Sequence, residues 1–199
     1  MNPAICLVEV REPLNDKIVN LLLPFSPLEK QHRILRQRVK RTADTMVVGG
    51  ALVRHMLWEQ FSILPDIKIG YGKFGKPYLP DYPYVYFNIS HSGQYVACTV
   101  CDRPVGIDIQ VIRPYYPAVA RRVYNPEELE QIKNSADPTA EFTKLWTKKE
   151  AYLKMLGCGL ITDFQTMACS TVAQVKTLKY ENMYLSYVST GNEKVRTMQ

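Results

Sequence analysis

Three short segments combine residue types that do chemistry. Pro104-Val105-Gly106-Ile107-Asp108-Ile109-Gln110 alternates, so Val105, Ile107, Ile109 and Val111 share one face of a strand and Gly106, Asp108 and Gln110 the other. Asp108 and Gln110 then offer parallel oxygen atoms, which suit a hard cation such as Mg²⁺ held with phosphate, and the glycine leaves room for something bulky. A solvated polar face of an antiparallel strand would read the same way. Along Phe142–Lys154, a helical period puts Phe142, Leu145, Leu153 and Leu156 on one apolar stripe, with Lys149 in its middle. A lysine there costs desolvation unless the stripe opens on a cleft or the ammonium meets an anion. Glu150 sits at the stripe's edge, one turn from Trp146 and Lys154, where a surface ion pair is the plain alternative. In Phe87-Asn88-Ile89-Ser90-His91-Ser92-Gly93, Phe87 and Ile89 turn to a core while Asn88 and Ser90 face away. Hydroxyl, imidazole and turn amides together can hold phosphate oxygens, although they can also merely stabilise a turn. Ser90 and His91 are adjacent and outside any Gly-x-Ser-x-Gly elbow, which argues against a hydrolytic dyad.

These segments need elements to carry them. Ala4–Val10 reads as an opening strand, and a helical stretch after Pro27 carries Lys30, His32, Arg33, Arg36, Arg38, Lys40 and Arg41. A largely apolar helix spans about Ala43 to Phe61, followed by a short strand over Ile67–Tyr71 and a loop over Gly72–Pro77. Tyr84–Ser90, Tyr95–Cys101 and Val105–Val111 are three consecutive strands, with turns at His91-Ser92-Gly93 and Asp102-Arg103-Pro104. Asn125, Pro126 and Glu128 form a capping-box start for one helix. Asp137-Pro138 starts another that stops at Gly157, and two or three strands follow from Asp163. Strand, helices, strands therefore occurs twice, which predicts two α+β lobes over 1–102 and 103–199.

Composition narrows the classes. Of 199 residues, 46% are hydrophobic and 22% charged, which excludes disordered, collagenous and coiled-coil chains. The longest apolar stretch, Met46–Val53, is broken by Gly49-Gly50 and followed by Arg54, so no membrane span is expected. Glu9, Arg11, Glu12, Asp16 and Lys17 argue against a secretory signal and for the cytosol. Five cysteines, an odd number, then read as reduced thiols. The Cys98–Cys101 spacing lacks the second pair that a zinc site needs, and a strand would turn the two sulfurs to opposite faces. The formal charge of +6 suits an anionic partner without choosing which.

Gly75-Lys76-Pro77, FNISHSG at 87–93, VGIDIQ at 105–110 and LWTKKEAYLKMLGCGL at 145–160 together resemble, in order and spacing, the surfactin-type 4′-phosphopantetheinyl transferases. The resemblance covers about residues 26 to 165. It implies an α+β pseudo-dimer within one chain: two similar lobes, each a small antiparallel sheet packed with a long helix, and an active site in the cleft between them. It implies a cytosolic monomer, dependent on Mg²⁺ or Mn²⁺, that moves the phosphopantetheine arm of coenzyme A onto a serine of an acyl- or peptidyl-carrier protein. Fatty-acid, polyketide or nonribosomal-peptide carriers would all qualify, and no nucleic acid is implied. By resemblance, Lys30, Arg33, Ser90 and His91 would reach the coenzyme A phosphates, Lys76 would lie by the adenine, and Thr45 and Lys149 would add contacts. Asp108, Gln110 and Glu150 would hold the metal, with Lys154 neutralising the pyrophosphate as its bond breaks. Glu150, or a water held by the metal, would take the proton from the attacking serine. Glu128 matches an acidic position of the family, although capping explains it as well.

The sequence departs from the family at Gln110, where an acidic residue is usual; an amide oxygen binds Mg²⁺ without adding charge, so a water could stand in for it. The region before Gly49-Gly50 aligns poorly, which leaves Thr45 only a candidate. Two rivals follow. One is a weakened homologue that binds coenzyme A without turnover. The other is a basic module for nucleic acid or an acidic protein, which leaves Asp108, Lys149 and Glu150 without a purpose.

Overall fold

The structure is a computed structural model that describes residues 2–158 and 174–190. Gly159 and Leu160 of the fourth motif, Cys169 and the first part of the region from Asp163 lie outside the described residues.

β1 (Ala4–Glu9) is followed by α1 (Asp16–Leu22), a 3₁₀ turn (Leu23–Phe25), α2 (Leu28–Leu35) and α3 (Lys40–Phe61). A two-stranded hairpin, β2 (Gly70–Tyr71) and β3 (Pro77–Tyr78), leads to β4 (Tyr86–Ser92) and β5 (Tyr95–Cys101). The second half repeats the scheme with β6 (Val105–Val111), α4 (Pro117–Val123), α5 (Pro126–Asn134), α6 (Pro138–Leu156), β7 (Lys176–Tyr180) and β8 (Met183–Ser189). The sheets are β1-β5-β4 and β6-β8-β7, all pairs antiparallel. Each sheet therefore places its first strand beside its last, with its middle strand outermost, and each has one long helix between first and second strands.

Alternation decides which face packs where. In β5, Val96, Cys98 and Val100 join the core under α3, while Tyr95 and Ala97 meet Ile107, Ile109, Met183 and Leu185 in a core shared by the two sheets. Both faces of β5 are covered, and the whole strand is buried. Gly49 and Gly50 let α3 approach its neighbours, since a β-carbon on Gly50 would strike the Ser26 hydroxyl.

Several expectations change. The basic stretch is not one helix: α2 ends at Leu35 and α3 restarts at Lys40, whose ammonium pairs with Asp44 one turn on. Only Gly70 and Tyr71 of the expected strand over Ile67–Tyr71 pair. His91 and Ser92 belong to β4, and the turn falls at Gly93, whose φ is +60°. Gly106 does not leave room for a bulky group, because α6 fills that space: a β-carbon there would collide with the Ala151 carbonyl and the Met155 backbone.

Candidate active site

The site forms where β4 of the first sheet lies against β6 of the second. No backbone ladder joins them. Instead the outward amides of β6 reach side chains of β4: Ile107 N–H donates to Asn88 Oδ1 (2.9 Å), Ile109 N–H to Ser90 Oγ (3.3 Å) and Val111 N–H to Ser92 Oγ (3.0 Å). Across this seam comes α6, which Asp137 caps at its start by accepting from Ala140 N–H, and which Gly157 ends in the left-handed region at φ +72°. Lys154, on the last turn of α6, donates to Asp108 Oδ1 at 2.6 Å and to Ser90 Oγ at 3.0 Å. Ser90 also donates to Asp108 Oδ1 at 2.8 Å.

Asp108 is 5% exposed, and its second oxygen, Oδ2, is buried with no hydrogen-bond partner. Burial pushes its carboxyl up, against the opposing pull of Lys154 and the Ser90 hydroxyl. Glu150, one turn before Lys154, is pushed up to about 7, first by burial and then by the negative charge of Asp108, with Lys154 opposing. Two neighbouring carboxyl groups, both pushed up chiefly by burial and one with a buried open oxygen, are the hard-oxygen donors that a divalent cation takes. Among the described residues no group of three His, Cys, Asp or Glu side chains stands together, so a cation here would draw its other ligands from elsewhere. Gln110 lies two residues after Asp108 on the same face of β6. Its Nε2 donates to Val111 O at 3.3 Å, and the residue lines a groove of about 280 Å³ with Tyr115, Phe142 and Trp146.

A cluster of cations lies within electrostatic reach of Lys154. His91 is held below its ordinary value by desolvation and by the charges of Lys30, Lys154 and Arg33. Lys30 is lowered by burial and by Arg33 and Arg54. Neighbouring positive groups, two of them lowered by burial and by the charges of the others, are a ready site for an anion. Lys30 and Arg33 line a cavity of about 480 Å³ with Gly50, Tyr71 and Gly75. Arg54 lines it too: its Nε donates to Pro65 O at 2.9 Å, while Nη1 is buried with no partner. The sequence reading missed Arg54 as a site residue, although an arginine inside the apolar run of α3 was the available signal.

Three expected contacts lie elsewhere. Lys149 is 1% exposed and turns into the second core, where its Nζ meets Glu128 Oε2 at 2.6 Å, Val123 O at 3.2 Å and the face of Tyr124. The anion that its position demanded is thus a protein carboxylate. Glu128 also completes the capping box with Asn125, as the capping explanation expects. Thr45 is buried in α3, with its hydroxyl bonded to Thr42 O. Lys76 spans the two halves, its ammonium donating to Met155 O (2.6 Å) at the end of α6 and to Val105 O (3.4 Å).

Comparison with known proteins decides the family. Residues 104–192 match the model of the 4′-phosphopantetheinyl transferase superfamily, and residues 12–102 match that of the 4′-phosphopantetheinyl transferase N-terminal region. A 4′-phosphopantetheinyl transferase of Bacillus subtilis is 36% identical over 156 residues, covering 77% of this chain and 70% of the relative. The chain belongs to the 4′-phosphopantetheinyl transferase superfamily. The transferase Sfp of Bacillus subtilis strain 168 is 33% identical over 151 residues, covering 74% of this chain and 67% of its own length. Psf-1 of Bacillus pumilus, also a 4′-phosphopantetheinyl transferase, is 34% identical over 156 residues (75% and 67%). The transferase activity expected from the four motifs is the activity of this family, and no helix among the described residues is long and apolar enough to cross a membrane.

Proposed function

We propose that the chain transfers the 4′-phosphopantetheine arm of coenzyme A to a serine hydroxyl of an apo acyl- or peptidyl-carrier protein, releasing adenosine 3′,5′-bisphosphate, with Mg²⁺ held by Asp108 and Glu150. One observation carries this reading: Asp108 has one oxygen tied to Lys154 and Ser90 and the other buried without a partner, beside a second carboxylate. A buried anion with an open acceptor is costly until a cation or donor completes it. The repeated strand order supports a pseudo-dimer of lobes 1–102 and 103–199 with the substrate in the cleft between them. Because both halves of the site come from one chain, a monomer suffices, and the reading places it in the cytosol.

Each residue then has a task. Lys30, Arg33 and His91 bind coenzyme A phosphates, and Arg54 lines the same cavity as Lys30 and Arg33. Asp108 and Glu150, with the amide oxygen of Gln110 beside them, hold Mg²⁺, which when bound stabilises charge on the pyrophosphate. Lys154 draws negative charge from the departing bisphosphate. Glu150, or a water beside it, accepts the proton of the attacking serine. Ser90 holds Asp108 and Lys154 in place. The test is to incubate the protein with apo-carrier, coenzyme A and Mg²⁺ and weigh the carrier by mass spectrometry. One phosphopantetheine should be added per carrier, and none in EDTA. Coenzyme A binding with no mass gain on several unrelated carriers would contradict the reading and identify a weakened homologue.

A further inference from the structure

β6 is paired along one edge only. β8 takes up the amides of that edge, which leaves the N–H groups of Ile107, Ile109 and Val111 pointing away from the sheet. Ile107 and Ile109 are fully buried, so their amides need acceptors inside the protein. A neighbouring strand would ordinarily supply carbonyls. Here Asn88, Ser90 and Ser92 do so with side chains, each buried and each 19 positions before its donor. The constant offset means that β4 and β6 run in the same direction, with three rungs two residues apart.

The middle rung is part of the site. Ser90 accepts from Ile109 N–H, donates to Asp108 and accepts from Lys154, so its position along β6 sets where Asp108 is held. A slip of one residue would turn all three side chains off the seam. A slip of two would leave Ser90 opposite the wrong amide. The outer rungs prevent both.

We propose that Asn88 and Ser92 are positioning residues: with Ser90 they form a side-chain ladder that fixes the register of the two halves and so the placement of Asp108 against Ser90 and Lys154. This rests on the transferase reading, in which one substrate spans both halves, and it accounts for the polar residues of FNISHSG that the phosphate contacts leave unused.

The experiment is residue-resolved amide exchange by NMR on the full chain, joined to steady-state transfer kinetics. In the wild type, the Ile107 and Val111 amides should be protected like those of Asp108 and Gln110, which bond within the sheet. Asn88→Ala should expose the Ile107 amide and Ser92→Ala the Val111 amide. Each variant should lower kcat by about 10- to 100-fold through misplacement of reacting groups, with KM for the carrier unchanged, and Ser92→Thr should restore both protection and rate. Rapid exchange at Ile107 and Val111 in the wild type would overturn the ladder even if no variant folds. Wild-type kcat in a variant whose rung amide has become exposed would overturn the positioning role. A wild-type chain that moves no phosphopantetheine would overturn the transferase reading alone, because amide exchange needs no turnover.

Discussion

Lys149 and Glu128 form an ion pair 2.6 Å apart with almost no solvent contact, so removing either partner strands the other in the core. Glu128→Gln keeps an oxygen for the Asn125 cap but leaves the ammonium without its charge partner. Urea unfolding should show a loss of about 3–5 kcal/mol, and adding Lys149→Met should recover more than half of it. A double variant as unstable as the single would show that the pair does not act as a unit. Gln110 poses the opposite question, since it shares a face of β6 with Asp108 but carries a neutral amide. Gln110→Glu adds an anionic oxygen, so half-maximal transfer should need less Mg²⁺; an unchanged requirement would place the side chain outside the metal site. Asp108, Glu150 and Lys154 could be picked out from the sequence because strand alternation and helix period place them. The partner of Lys149 could not, because it comes from another helix 21 residues away and its capping role already explained it. Asn88 and Ser92 were missed because nothing in a sequence tells which strand edge lacks a neighbour.

Among the elements, α6 owes its place to small residues and to one long one. Gly106 admits its backbone against β6, Gly157 ends it, and Lys76 reaches from the β2–β3 loop region to its last carbonyls. Burial lowers Lys76 from its ordinary 10.5 to about 8. Between those values the unfolded chain binds more protons than the folded one, so the contribution of this site to stability rises with pH and is lost as pH falls through about 8. Relative to Lys76→Met, the wild type should therefore gain thermal stability from pH 8 to 10; a constant difference would mean that Lys76 titrates normally. The strongly patterned elements were readable: β6 by alternation, β5 as a short apolar run between turns, α5 and α6 by their caps. The short ones were not. α1 has its Asn15 cap but only seven residues, none buried, so no apolar stripe announces it, and α4 is equally short. The break between α2 and α3 was hidden because the charged residues on both sides are good helix formers.

At the scale of the molecule, two sheets of the same strand order share a core of Tyr95, Ala97, Ile107, Ile109, Met183 and Leu185, and the site lies on the seam beside it. One side of the seam gathers cations, and the other holds two carboxyl groups that burial pushes up. The net charge of +6 marked the first in advance, and only the fold shows how the two meet. The account stands on Asp108 and Glu150 as the residues that hold the divalent ion. Its most direct test is a Mn²⁺ titration followed by electron paramagnetic resonance in the presence of coenzyme A, on wild type, Asp108→Asn and Glu150→Gln. The wild type should bind one Mn²⁺ per chain, and each folded variant should lose that site. Equal Mn²⁺ binding by all three proteins would contradict the account.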